Sequence, residues 1–240
     1  MSRLIAVFAV ASFVFTAASV PFSAIVGLFE LDRVGISYAR AEGTLWRGHL
    51  SDVYWRDAPV GQVMIRPVLS ALLSGKFSLA FVVDGRVVEA EGKIVWGLFS
   101  QFRIQDVRLS ADLAALPVFI KLGGRLDLAL TEIEFGAGGC KLGKGRLHTD
   151  ALTHSLAGLA WSGPALTGEI RCDDGVLILP LSGGDAAQDV RLLMQVKPDH
   201  KFDVRVDVDT LDPVMTQLLP QFGFYREGGT LVLKQEGRWD

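Results

Sequence analysis

Alternating apolar and polar residues recur along the chain after residue 30, and this period of two constrains the fold more than any other feature. In "KFSLAFVVDGRVVEAEGKIVW" two such runs flank an Asp-Gly pair, a common signal for a tight hairpin turn. One face collects the apolar residues Phe77, Leu79, Phe81, Val83, Val88, Ala90, Ile94 and Trp96, and the other collects Arg86, Glu89, Glu91 and Lys93. We therefore predict a β-hairpin with one solvated face.

A second hairpin is predicted in "DVRLLMQVKPDHKFDVRVDVD", where a Pro-Asp turn separates two alternating runs. Its apolar positions are Val190, Leu192, Met194, Val196, Phe202, Val204, Val206 and Val208. Asp203, Asp207 and Asp209 alternate along the return strand with Arg205 among them. We interpret these carboxylates as a solvated face rather than as a calcium site.

Further strands are predicted at 50–56, 60–66, 103–110, 125–135, 157–162, 166–172, 175–181 and 230–236, and short helices near Pro67–Leu73, Asp112–Lys121 and Leu211–Leu219. An antiparallel sheet with one apolar face must cover that face. The predicted fold class is therefore mainly β: an antiparallel, curved sheet or sandwich with a few short helices. We treat residues 30–240 as one unit, with a possible subdivision near 136–156.

The N-terminal run predicts contact with a membrane. From Leu4 to Phe29 the chain carries no charge, and these 26 residues exceed the roughly 20 that cross a bilayer core as a helix. A cleavable signal peptide is the alternative, since Thr16-Ala17-Ala18 offers small residues for cleavage. The length of the run favours a retained transmembrane anchor, with residues 1–29 as the cytoplasmic N-terminus and anchor. Arg3 precedes the run, so the positive-inside rule places residues 30–240 in the periplasm of a bacterium.

That compartment predicts a role for the two cysteines. Cys140 and Cys172 are the only ones in the chain, and an oxidising periplasm would let them pair. Neither belongs to a C-x-x-C motif, which argues against a redox or zinc site. We predict a disulfide, with two buried free thiols as the alternative.

The stretch "GAGGCKLGKG" departs by one residue from a phosphate-binding loop. Gly138, Gly143 and Lys144 match the G-x-x-x-x-G-K part of the pattern, but Gly145 stands where a Ser or Thr would hold magnesium. No long apolar helix is predicted after it. We therefore interpret the stretch as a glycine-rich turn that carries Cys140.

No catalytic or nucleic-acid site is predicted. His148 and His154 are six residues apart and lack the spacing of H-E-x-x-H, while His49 and His200 stand alone. The chain has no G-x-S-x-G motif, and a net charge of −3 gives no basic footprint for nucleic acid. We predict a protein that is not an enzyme and that has no cofactor and no metal.

The stretch "ARAEGTLWRGHLSDVYWRDAPVGQVMIRPVLSALLSGKFSLAF" resembles the opening of the type II secretion system protein N family. The matching positions are Gly43, Thr44, Trp46 and Gly48, then Gly61 and Val63, then Pro67, Leu72, Leu73 and Gly75. The second half is similar through the spaced cysteines, the "CDDG" turn and "LDPVMTQLLPQFGFYREGGTLVLKQEGRW". The resemblance covers essentially the whole chain.

The resemblance implies an accessory inner-membrane component of the apparatus that moves folded exoproteins from the periplasm through an outer-membrane secretin. It implies as partners the other inner-membrane subunits and the secretin itself. Trp46, Tyr54 and Trp55 form an aromatic cluster in sequence just beyond the anchor, where they could meet headgroups or a partner. The alternative for these three residues is packing at the base of the sheet.

A second class of protein is also compatible with the pattern. Amphipathic strands with short turns also look like AsmA-like envelope proteins, in which a curved sheet presents an apolar groove to phospholipid. That alternative requires that the face made by Phe77, Leu79, Phe81, Val204 and Val206 stays uncovered. An exported hydrolase would need a nucleophile paired with a base, and the sequence offers none.

Overall fold

The computed structural model describes Phe8 and residues 19–27, 31–72, 75–97, 102–115, 123–154 and 162–238. Within these ranges the strands are β1 (Ile36–Ser37), β2 (Arg40–Thr44), β3 (Arg47–Trp55), β4 (Ala58–Pro67), β5 (Phe77–Asp84), β6 (Val88–Trp96), β7 (Phe102–Asp112), β8 (Arg125–Gly136), β9 (Gly139–Thr149), β10 (Leu166–Asp173), β11 (Val176–Gly184), β12 (Gln188–Val196), β13 (Lys201–Thr210), β14 (Tyr225–Glu227) and β15 (Thr230–Arg238). The helices are α1 (Phe22–Val26), α2 (Leu69–Leu72) and α3 (Pro213–Leu218), with 3-10 turns at Leu31–Val34, Leu113–Ala115 and Leu219–Phe222.

All fifteen strands belong to one open sheet in the order β1-β3-β4-β5-β6-β7-β8-β9-β10-β11-β12-β13-β15-β14, with β2 also beside β3. Every neighbouring pair is antiparallel. Of the two predicted arrangements the single sheet forms, and the sandwich is wrong. The reason is the connectivity: from β3 to β13 each strand turns back and pairs with the next strand along the chain.

Both predicted hairpins are confirmed. β5 and β6 pair with Val83 opposite Ala90, and β12 and β13 pair with Val190 opposite Val208. Short helices also form in the predicted segments at α2 and α3. The candidate strand 157–162 and the end of the candidate helix 112–121 lie mostly outside the described residues.

The glycine-rich stretch around Cys140 is a strand, and its interpretation as a turn was wrong. The turn occupies only residues 137–138, and β9 follows directly, paired to β8 on one side and to β10 on the other. Its glycines fit crowded positions, because a Cβ added at Gly143 would lie 3.0 Å from Cys172 Sγ. The sheet is therefore continuous through this stretch, and Lys144 lies within a strand opposite Glu132.

The core lies along the apolar face of the sheet in two adjoining clusters. One joins β9 to β15 through Leu147, Leu166, Leu181, Val190, Val208 and Leu231. The other joins β7 to β10 through Val107, Leu130, Ile133, Cys140 and Ile170. Because cross-strand partners share a face, each of these side chains packs against the next across the sheet.

The opposite face carries cross-strand ion pairs. They include Arg108 with Glu91, Lys93 with Asp106, Arg103 with Glu132 and Glu134, Arg146 with Glu169, and Arg191 with Asp209. The exposed pairs among them each contribute only about 0–1 kcal/mol, whereas those of Arg103 are partly buried. Their main effect is to fix the register of neighbouring strands, because a slip of one residue would move the charged side chains to the apolar face.

The end of the long apolar run is packed into the fold. Phe22 and Val26 of α1 are buried against Leu50 and Val53 of β3. The Phe22 ring lies over Gly48, where any Cβ would overlap it. The predicted anchor comprises residues 4–29. Of these, residues 4–7, 9–18 and 28–29 lie outside the described residues. Within the described ranges we find no helix with the length and apolarity needed to cross a bilayer.

Helix α3 closes the core beside the last strands. Pro213 begins the helix, and the Asp212 side chain caps it by accepting a hydrogen bond of 2.8 Å from the Val214 N–H. The inner side of the helix carries Met215, which is 2% exposed, whereas Val214 on its outer side is 63% exposed.

We expect Met215→Ala to lower the free energy of unfolding by about 2–5 kcal/mol, because it deletes a fully buried side chain and leaves a cavity. Val214→Ala in the same helix should change it by less than about 0.5 kcal/mol. Urea unfolding of the purified full chain in detergent, followed by circular dichroism, measures both variants. Equal midpoints for the two variants would contradict the packing of α3.

Candidate interaction surfaces

The three aromatic residues singled out by sequence do not lie together. Trp46 occupies the β2–β3 turn, whereas Tyr54 and Trp55 lie at the opposite end of β3 beside β1. A nine-residue strand spans roughly 30 Å, so the two places are far apart. We call the end of the sheet with the β2–β3 turn the near end, and the end with the β3–β4 turn the far end. The three side chains are 37%, 44% and 43% exposed, so each is accessible for contact.

Cys140 and Cys172 form a disulfide, with their Cα atoms 5.6 Å apart. Cys140 begins β9, and its N–H donates to the Gly175 carbonyl at 2.8 Å. Cys172 lies near the end of β10 on the same apolar face. The bond therefore ties β9 to β10 at the near end of the sheet and is structural.

We expect the double variant Cys140→Ala, Cys172→Ala to lower the free energy of unfolding by about 3–4 kcal/mol, from the loop that the bond closes. That loop corresponds to a sequence separation of 32 residues. Thermal unfolding in detergent with and without reductant is the measurement. Reductant should lower the midpoint of the natural chain and leave the double variant unchanged; an unchanged midpoint in both would contradict a stabilising bond.

A row of aromatic rings crosses the near end of the sheet. Phe77 and Trp96 lie 5.8 Å apart between ring centroids, Trp96 and Phe102 lie 5.7 Å apart, and Phe102 and Phe135 lie 6.5 Å apart. They begin or end β5, β6, β7 and β8 and are cross-strand neighbours. Phe77 is 43% exposed and Trp96 is 36% exposed, so the row opens to solvent at its β5–β6 side.

The two lateral edges of the sheet differ in how they are covered. At the first edge β1 and β2 both pair with β3, and Pro21 bridges to Thr44 of β2. At the last edge β14 pairs with only Thr230, Leu231 and Val232 of β15. Among the described residues no strand pairs with the outer side of residues 233–238. This stretch of β15 is the longest open edge in the described part of the sheet.

Charged residues surround the β14–β15 corner. Glu227 of β14 lies 3.2 Å from Arg205 and 3.6 Å from Lys234. The hydrogen bond with Tyr225 raises the pKa of Lys234 above its ordinary value, and the one with Asp207 raises the pKa of Arg205. Both cations therefore stay charged at any physiological pH; through Glu227, Lys234 links β14 to β15 and Arg205 links β14 to β13.

A second apolar patch lies at the far end near the last strands. Its members are Leu211, Val214, Phe222 and Tyr225, which are 82%, 63%, 59% and 43% exposed. Sequence analysis missed this patch and the short strand β14. Three residues are too few to show a period of two, and the signal in the sequence is the Gly228-Gly229 turn.

The polar face has a shallow depression of about 610 Å³ between β4 and β9. Several of its charged groups are paired: Arg108 with Glu91, Arg146 with Glu169, and Asp127 with Ser110. Asp203, Asp207 and Asp209 likewise pair with Lys197, Arg205 and Arg191. Across the described ranges no three His, Cys, Asp or Glu side chains are grouped so as to hold a metal ion.

The fold and its surfaces define a class: a single-sheet antiparallel β-protein with an open lateral edge and no assembled catalytic group among the described residues. The family model for type II secretion system protein N matches residues 34–234, so the chain belongs to that family. The chain is also 26% identical over 180 residues to type II secretion system protein N of Vibrio cholerae serotype O1 (strain ATCC 39315 / El Tor Inaba N16961), covering 71% of each chain. No solved structure matches the chain.

Proposed function

We propose that this protein is an accessory inner-membrane component of the type II secretion apparatus, acting as a non-catalytic scaffold in the export of folded proteins from the periplasm through the secretin. The observation that carries the proposal is the family match across residues 34–234. The matched region spans nearly the whole sheet, from the start of β1 to the middle of β15. The proposed partners are the other inner-membrane subunits and the secretin.

The open edge of β15 supports binding of a partner. Backbone N–H and C=O groups along such an edge can pair with an extended segment of another chain, which adds affinity without a pocket. Lys234, Glu236 and Arg238 alternate along one face of the strand and are exposed. A partner strand with a complementary alternation of charge would be selected over one with like charges opposite.

The apolar face supports the scaffold role over the lipid-handling alternative. Of the five residues that alternative requires, Phe77 is exposed, while Leu79, Phe81, Val204 and Val206 are half-buried. An apolar groove for lipid chains would need most of these side chains accessible. We therefore favour contact through an edge.

We expect photocrosslinking in cells to identify the edge that is used. Benzoylphenylalanine at Glu236 on β15 should form adducts with another secretion subunit, because an added strand would lie within reach. The matched control is Arg146, which is also exposed, on the polar face, but lies on the central strand β9. Glu42 on β2 tests the opposite edge.

Each result bears on the proposal differently. Adducts from Glu236 alone support docking at β15, and adducts from Glu42 alone move the docking to β2. If none of the three positions captures a secretion subunit in secreting cells, the scaffold proposal fails. A fourth position, Val206 on the apolar face, tests the lipid-handling alternative: phospholipid adducts there, detected by mass spectrometry, with no protein adduct from the other three positions, would favour it.

The proposed topology has its own measurement. A cysteine introduced at exposed Arg86 in the β5–β6 turn should react with a membrane-impermeant maleimide in intact spheroplasts. A cysteine at Ser2, before the apolar run, should react only after lysis. The reverse pattern would overturn the periplasmic placement, and reaction at both positions before lysis would overturn the membrane-spanning anchor.

A further inference from the structure

The apolar N-terminal run meets the sheet without a linker. The Leu45 N–H donates to the Val20 carbonyl at 3.1 Å, and Pro21 bridges to Thr44 in the next step. Phe22 and Val26, which follow directly, are part of the buried core. The uncharged stretch that remains for the membrane therefore ends at Val20, directly against the β2–β3 turn.

That stretch is only just long enough to cross a bilayer as a helix. Residues 4–20 are about 17 residues and would form a helix of roughly 25 Å, close to the thickness of a bilayer core. On the anchor proposed above, Val20 then lies at the membrane surface. Because Val20 is hydrogen-bonded to Leu45, the near end of β2 and β3 must lie there too.

The side chains exposed at the near end suit that location. Trp46 in the β2–β3 turn is 37% exposed, Leu69 of α2 is 56% exposed, and Phe77 and Trp96 of the aromatic row are 43% and 36% exposed. Tryptophan and other aromatic rings are enriched at the headgroup level of bilayers, where an apolar ring and a polar edge are both accommodated. From the β2–β3 turn to β6, four large apolar side chains are exposed at the near end, and Tyr54, Trp55 and Val82 are exposed toward the far end.

The two ends of these strands also differ in their charges. The near-end connections 45–46 and 68–76 contain no acidic residue, and the exposed charges beside Trp46 and Phe77 are Arg47 and Lys76. The far-end turns of the same strands carry both signs, with Arg56, Asp57, Asp84 and Arg86. An anionic phospholipid surface attracts the first arrangement more strongly.

We propose that the near end of β3 to β6 rests on the phospholipid bilayer, with Trp46, Leu69, Phe77 and Trp96 in the interfacial layer and the strands directed away from the membrane. The proposal rests on the retained anchor and adds an orientation to it. The far end, with Tyr54 and Trp55, then stands roughly 30 Å from the surface.

Tryptophan quenching by brominated phospholipids tests the orientation. The full chain is reconstituted in vesicles of phosphatidylethanolamine and phosphatidylglycerol, with and without bromine on the acyl chains. Trp46→Phe and Trp96→Phe should each remove a share of the quenchable emission, and the double variant should lose about half or more of it. Trp55→Phe is the matched control, because Trp55 is as exposed as the other two but lies at the far end.

A second reporter keeps the test independent of these substitutions. A fluorophore on a cysteine introduced at Lys76 should be quenched by spin-labelled phospholipid, and one at Arg86, at the other end of β5, should not. Equal quenching at positions 76 and 86, or a loss in Trp55→Phe as large as in the double variant, overturns the orientation. Vesicle flotation separates the two proposals: a chain that fails to float with the vesicles refutes the anchor itself, whereas one that floats with Trp46 and Trp96 unquenched refutes only the orientation.

Discussion

Backbone pairing between successive strands is the constraint on which the rest of the structure depends. From β3 to β12 each strand pairs with the one before it and the one after it, so the interior backbone groups find their partners within a single sheet. Such a sheet has two faces and two edges. The apolar face carries the core, the polar face carries the ion pairs, and the edges and strand ends are left for contact with other molecules.

The sequence predicts those parts of the sheet whose two faces differ in polarity. The β5–β6 and β12–β13 hairpins follow directly from alternation, because a buried face fixes both the strand and its register. Strand β9 could not be predicted in this way, because its glycines have no side chains that could alternate between the two faces. Gly143 is glycine because Cys172 needs the space, and Gly145 because Leu130 does; both reasons belong to neighbouring strands.

The interaction surfaces were predictable to a smaller extent. Pairing of Cys140 with Cys172 follows from the predicted compartment, which is independent of the fold. The structure separates Trp46 from Tyr54 and Trp55, because the extended strand β3 runs between them. The packing of α1 against the sheet could not be predicted from the sequence either, because Phe22 and Val26 are equally suited to a bilayer and to a protein core.

The proposed orientation gives the two contact surfaces separate places. Eleven strand-to-strand steps, each about 4.8 Å, separate β3 from β15, so the open edge lies roughly 50 Å along the sheet from the anchor. A partner segment that pairs with residues 233–238 would therefore bind well away from the anchored first strands. The ion pairs across the polar face and the disulfide between β9 and β10 resist sliding between the strands in that interval. One sheet can therefore be fixed to the membrane at its first strands and bind a partner at its last, which is the arrangement that a scaffold between inner-membrane and periplasmic components requires.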